Sequence, residues 1–150
     1  LTGLANKIYI ALDTDRAYYW DGATYVALTA DAVSSGAVTF ERVAGETLGG
    51  HRAVWVDAGQ AFHASADDPV SAELLAGITT GSVAVGANAT IQAFGEIEEP
   101  SWTWNEGVVY LGLNGLLTQV PPVSGVNTEI GVALSATKLL VRIQRAIYLS

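Results

Sequence analysis

Apolar and polar residues alternate along this chain with a period of two, in short runs broken by Gly, Asn and Asp. Lys7-Ile8-Tyr9-Ile10-Ala11-Leu12, Ala17-Tyr18-Tyr19-Trp20 and Ala23-Thr24-Tyr25-Val26-Ala27-Leu28 read as three strands. Asp13-Thr14-Asp15-Arg16 and Asp21-Gly22 lie between them as turns. Asp-Gly between aromatic and β-branched runs is a strong hairpin signal, because both central residues of a type I′ turn take positive φ. Three short strands cannot stand alone and must dock on something. Residues 30–37 are small and polar and read as a linker.

From Val38 onward the expected strands are 38–43, 52–57, 60–64, 90–97, 108–113, 116–120, 129–134 and 138–143. Many short strands with regular turns and no long 3.6-period segment indicate a barrel or sandwich. The one helical candidate is 69–75, with Asp67 or Asp68 as N-cap and Pro69 in the first turn.

The chain also nearly repeats itself. The segment from Val54 to His63 aligns with that from Val109 to Thr118, each a strand, a Gly/Asn turn and a strand. Ala76-Gly77-Ile78-Thr79 aligns with Ile130-Gly131-Val132-Ala133, and Thr90-Ile91-Gln92-Ala93 with Leu140-Val141-Arg142-Ile143. The expected fold is mainly β. An N-terminal three-stranded meander (1–29) and a linker (30–37) precede two similar small β-barrel or sandwich modules, 38–99 and 100–150. Pro100 marks the join, since proline cannot continue a strand inside a sheet.

Charge narrows the function classes. The net charge is −8, and no Lys or Arg occurs between Arg52 and Lys138, a stretch holding nine carboxylates. A nucleic-acid partner needs clustered basic residues, so none is expected. No apolar run approaches the roughly 20 residues of a membrane span, and membrane insertion is not expected. Cysteine is absent, which removes disulfides and thiol chemistry. Charged residues make up 15% of the chain, against about 25% typically. A surface so poor in charge implies burial against other chains. Methionine is absent even at position 1, which reads as a processed or excised part of a longer chain.

The segment from Lys7 to Leu28, with its Lys-Ile-Tyr start, Asp13-Thr14, Tyr18, Trp20-Asp21-Gly22 and Tyr25-Val26, resembles a module of tailed-bacteriophage fibre proteins. Gly107-Val108-Val109-Tyr110-Leu111, Gly115-Leu116-Leu117-Thr118-Gln119, Pro121-Pro122, the segment from Gly131 to Thr137 and the ending Arg145-Ala146-Ile147-Tyr148-Leu149 are similar to the tip domains of such fibres. The segment from Gly45 to Ile97 resembles small β-domains that decorate phage heads. The resemblance implies a homotrimer on a virion, in contact with other virion proteins and with a host cell-surface receptor, a glycan or a pilus. A head fibre or capsid-decoration protein is the structural alternative, and a glycan-cleaving tip the enzymatic one.

Candidate chemistry is sparse. His51 and His63 are the only imidazoles, and a Ser-His-Asp triad would have to combine His63, Asp67 and a serine. No Gly-x-Ser-x-Gly elbow is present. Asp13/Asp15, Asp67/Asp68 and Glu96/Glu98/Glu99 are the paired carboxylates that glycan cleavage would require. Asp13, Asp15 and Asp21 supply three oxygens, short of the 6–8 that calcium prefers. The expectation is therefore no enzyme, no cofactor and no metal.

Trp102 and Trp104 share one strand face at period two, suited to stacking on sugar rings if exposed, with burial in the core or trimer interface the favoured reading. Lys138 and Arg142 should share an outward face, with Leu139, Val141 and Ile143 turned to the core. The loop 121–128, with Pro121, Pro122 and Asn127, is the natural place for receptor variation. These seven residues (Trp102, Trp104, Lys138, Arg142, Pro121, Pro122 and Asn127) are the candidate receptor contacts.

Overall fold

The computed structural model describes residues 8–11, 16–20, 25–27 and 36–150. The chain is mainly β and divides into two compact units, 1–34 and 35–150. In the first, β1 (Ile8–Ala11), β2 (Arg16–Trp20) and β3 (Tyr25–Ala27) form an antiparallel meander. Ile8 lies opposite Tyr19, and Trp20 opposite Tyr25. The Asp13–Asp15 turn, the Asp21-Gly22 turn and the linker up to Ser35 lie outside the described residues.

The second unit is built on β4 (Val38–Ala44), β5 (Ala53–Asp57), β6 (Gln60–His63), helix α1 (Pro69–Glu73), β7 (Leu75–Thr79) and β8 (Asn88–Glu98). Strands β9 (Gly107–Leu111), β10 (Leu117–Thr118), β11 (Val126–Asn127), β12 (Glu129–Ala133), β13 (Lys138–Arg142) and β14 (Ile147–Tyr148) follow. The order β8-β4-β6-β5-β7 closes on itself through β7–β8, giving a five-stranded barrel. Its seam is the parallel pairing of β4 with β6, Val43 opposite Gln60 and Ala44 opposite Ala61. So few strands enclose a narrow interior, filled by three alanines (Ala44, Ala61 and Ala89) interleaved with Leu48, Val54 and Ile91.

Strand β7 lies outside the expected runs, because Leu75-Ala-Gly-Ile-Thr is short and follows the helix without a turn signal. The helix is one turn, capped by Asp68, whose side chain accepts from Val70 N–H (3.1 Å), with Pro69 at its start.

The internal repeat is structural. Hairpin β5–β6 turns on Ala58-Gly59 and β9–β10 on Asn114-Gly115, all four residues at positive φ. Val54 lies opposite Gly77 in β5–β7, and Val109 opposite Gly131 in β9–β12. Each pair has a register shift immediately beyond it, at Ala76 and at Ile130. Then β7 pairs with β8 as β12 pairs with β13, antiparallel in both cases.

The structural correspondence of the copies differs from the aligned sequence in two places. Pairing equates Ile91 with Leu139 and Gln92 with Leu140, rather than placing Ile91 with Val141 and Gln92 with Arg142. The two-residue slip leaves every side chain on the same face, so periodicity alone could not detect it. The turn glycines also differ from the alignment by one residue, Gly59 matching Gly115.

The copies share a strand rather than standing apart. The last half of β8, Phe94–Glu98, pairs with β13. Gly95 bends β8 there at φ +99, and the buried Gln92 Nε2 donates to Gly95 O and Glu96 O (both 3.0 Å). The larger core joins the outward faces of β5 and β7 (Ala53, Ile78) to Val109, Leu111, Ile130, Leu139 and Val141 of the second copy. The start of β5 is thus buried on both faces, with Ala53 and Val54 fully enclosed in different cores. The β9–β10 turn is fastened to the barrel by Ala53 N–H to Gly115 O (2.8 Å) and Gly115 N–H to Ala64 O (2.6 Å).

Candidate functional site

The seam is where the copies differ. In the first, Ala44 N–H donates to Ala87 O (2.8 Å), and β4 then pairs along β6. In the second, Trp104 N–H donates to Ala136 O (2.9 Å) in the same manner, but residues 101–105 form no strand beside β10. One side chain spans the gap instead: Gln119 Oε1 accepts from Asn105 N–H (3.0 Å) and Nε2 donates to Asn105 O (2.6 Å).

Beside this open seam lies a cleft of about 440 Å³, lined by Gly50, His51, Arg52, Glu99, Ser101, Trp102, Trp104, Leu116 and Leu117. Both indoles are half-buried, with ring centroids 5.6 Å apart at 52°. They pack against the larger core and also border the cleft, so burial and exposure both hold. His51 stands edge-on to Trp102, centroids 5.3 Å apart. Its Nδ1 lies 3.3 Å from Glu99 Oε2.

His51 adopts φ 54, a left-handed conformation in which histidine is enriched. Its loop is clamped by buried Thr79, whose Oγ1 donates to Gly49 O (2.7 Å) and accepts from Arg52 N–H (3.0 Å). Ser101 N–H donates to Glu99 Oε1 (3.0 Å). That bond, with the Ser101 hydroxyl and the nearby His51, holds the Glu99 carboxyl below its ordinary pKa against a smaller opposing effect of desolvation. The Trp104 indole N–H is buried without a partner, and such a donor costs about 1–3 kcal/mol.

The other candidates fall elsewhere. Pro121 and Pro122 line an apolar groove of about 430 Å³ with Leu111, Leu113, Val120 and Val123. Asn127 lines a third cleft, of about 520 Å³, with Glu129, Gln144, Arg145 and Ile147. Lys138 and Arg142 are exposed on one face of β13 while Leu139 and Val141 are buried, as the alternation predicts. Across on β8, Glu98 faces Lys138, Glu96 faces Leu140 and Phe94 faces Arg142. The two cations therefore sit on a face of mixed charge.

Among the described residues, His63 makes no hydrogen bond to a serine. Its Nδ1 lies 3.0 Å from Glu46 Oε1 and its Nε2 accepts from Gly49 N–H (3.3 Å). Ser65 Oγ instead donates to Asp67, and Asp68 caps the helix. Among the described residues, no three His, Asp or Glu side chains converge as a metal site. The Asp13/Asp15/Asp21 oxygens lie outside those residues.

Of the residues around the tryptophan pair, Glu99 and Ser101 are sequence neighbours of Trp102. His51 and Arg52 are about fifty positions away and carry no local signal linking them to it. No protein-family model and no curated protein matches the chain.

Proposed function

We propose that this chain is a non-catalytic structural component of a tailed-bacteriophage virion, a trimeric fibre portion that contributes to host attachment. The resemblance of residues 7–28 and 107–149 to fibre modules supports this reading, and one structural observation supports the self-association within it. The apolar groove at Pro121-Pro122 is bordered by Leu113, Val120 and Val123, which are 52%, 73% and 94% exposed. Within the unit 35–150 nothing covers these side chains, and a second copy would. Burying each valine against a second copy is worth about 1.5–3 kcal/mol, and threefold symmetry would repeat the contact three times.

Light scattering tests the assembly. The full chain should give a mass near three times 15.6 kDa, and the double variant Val120→Asp/Val123→Asp should fall to the monomer. A soluble wild-type monomer at micromolar concentration refutes the trimer. Soluble trimer should also block phage adsorption to host cells; a folded trimer that neither binds cells nor competes removes the attachment role, and the capsid-decoration reading takes its place.

A further inference from the structure

We infer that the open seam of the second copy is a binding site for a neutral pyranose ring, held against Trp102 and hydrogen-bonded by Glu99 and Arg52. This names the ligand of the attachment role proposed above and rests on that reading. Two copies of one module differ at this point. Where the first copy closes its seam with backbone pairing, β4 on β6, the second leaves residues 101–105 unpaired beside β10 and holds the gap with a single glutamine. Folding alone does not require that opening, since the same module closes in the first copy.

The lining fits a sugar. A pyranose has apolar C–H faces and a polar rim, and it needs an aromatic wall with hydrogen-bonding groups at its edge. Trp102 and Trp104 supply two tilted walls, and Leu116 and Leu117 lie beside them. Glu99 supplies acceptor oxygens for vicinal hydroxyls, Arg52 a planar donor, and Ser101 a hydroxyl. The Glu99 carboxylate offsets the Arg52 guanidinium, so apart from the His51 imidazole the cleft carries no cationic excess, which favours a neutral ring over an anionic one. The parts are pre-positioned. Thr79 fixes the loop carrying His51 and Arg52, the edge-on His51 holds the Trp102 ring, and Ser101 N–H orients the Glu99 carboxylate.

The test titrates the full chain with methyl glucoside, methyl galactoside, methyl mannoside and N-acetylglucosamine, with methyl glucuronoside as anionic control and free indole as apolar control. Tryptophan fluorescence and the indole N–H resonances are followed. At least one neutral pyranoside should saturate in the millimolar range and shift the Trp102 and Trp104 signals. Glu99→Gln, at a surface position, should keep the fold and weaken binding about tenfold or more, the loss expected for a charge-assisted hydrogen bond; Trp102→Phe should weaken it too.

Absence of a saturable response to every neutral pyranoside overturns the inference. So does binding that survives both variants, or a preference for the glucuronoside or for indole. A trimer that blocks adsorption yet binds no pyranoside refutes the sugar site alone. A monomer that binds one refutes the trimer alone.

Discussion

Gly131 is the position at which one added methyl group tests the fold most severely. It sits in β12 opposite Val141, and a Cβ there would overlap the carbonyl oxygen of Leu140, 2.9 Å from its carbonyl carbon and 3.2 Å from Val141 Cα. The obstacle is backbone in a hydrogen-bonded ladder, which cannot rotate away as a side chain would. Overpacking of this kind costs about 1–3 kcal/mol. Displacing β13 also weakens two ladder bonds at about 1 kcal/mol each. Gly131→Ala should therefore lose about 3–5 kcal/mol, a large part of the roughly 5–15 kcal/mol that a domain of this size holds.

Gly77 faces the same obstacle in the first copy, where a Cβ would overlap Gln92 O and lie 2.6 Å from Ile91 Cγ2. Gly77→Ala should cost a similar amount. Gly81 has open space within 4 Å of where a methyl would stand and no positive φ, so Gly81→Ala serves as control and should stay within about 0.5 kcal/mol of wild type. Urea unfolding followed by tryptophan fluorescence gives the comparison: a fall of about 2 M in midpoint for either strand glycine at a slope near 2 kcal/mol/M. Failure of Gly131→Ala to accumulate folded while Gly81→Ala folds counts the same way. A Gly131→Ala protein as stable as the control refutes the β12–β13 register. A silent Gly77→Ala beside a severe Gly131→Ala refutes the shared packing of the two copies.

Two further outcomes are expected. Ala58 holds φ 47 in the β5–β6 turn, where its counterpart in the second copy is Asn114; Ala58→Asn should gain about 0.5–1 kcal/mol by relieving left-handed strain and raise the thermal midpoint by a few degrees, and a lowered midpoint refutes the turn assignment. Tyr148 OH donates to Glu73 Oε2 (2.9 Å), and that bond, with smaller contributions from desolvation and the Glu73 charge, raises the phenol pKa. Its folded value lies above the unfolded one, so the contribution to stability is complete below about pH 10 and is lost as pH rises through the folded value. Absorbance titration of wild type minus Tyr148→Phe should show one late-titrating phenol that moves to lower pH in Glu73→Gln; an unchanged midpoint in that variant refutes the bond as the cause.

The features legible in the chain alone are local ones. The meander, an Asp67 or Asp68 cap before Pro69, the turns at Ala58-Gly59 and Asn114-Gly115, and the outward placement of Lys138 and Arg142 depend on residues a few positions apart, so alternation and turn chemistry reach them. The repeat was legible as well, because each copy preserves its pattern of strand, turn and strand. How the copies close was settled at the tertiary level. Pairing of β4 with β6, and of β8 with both β4 and β13, joins residues brought together by the whole chain, and no local period encodes which edge meets which. Ala53 and Val54 look like an ordinary apolar pair, yet they enter different cores because the second copy covers the outside of the barrel. Trp102 and Trp104 divide between core and cleft for the same reason. Their exposure is set by a seam left open beside β10 and by a loop about fifty residues earlier that Thr79 holds in place.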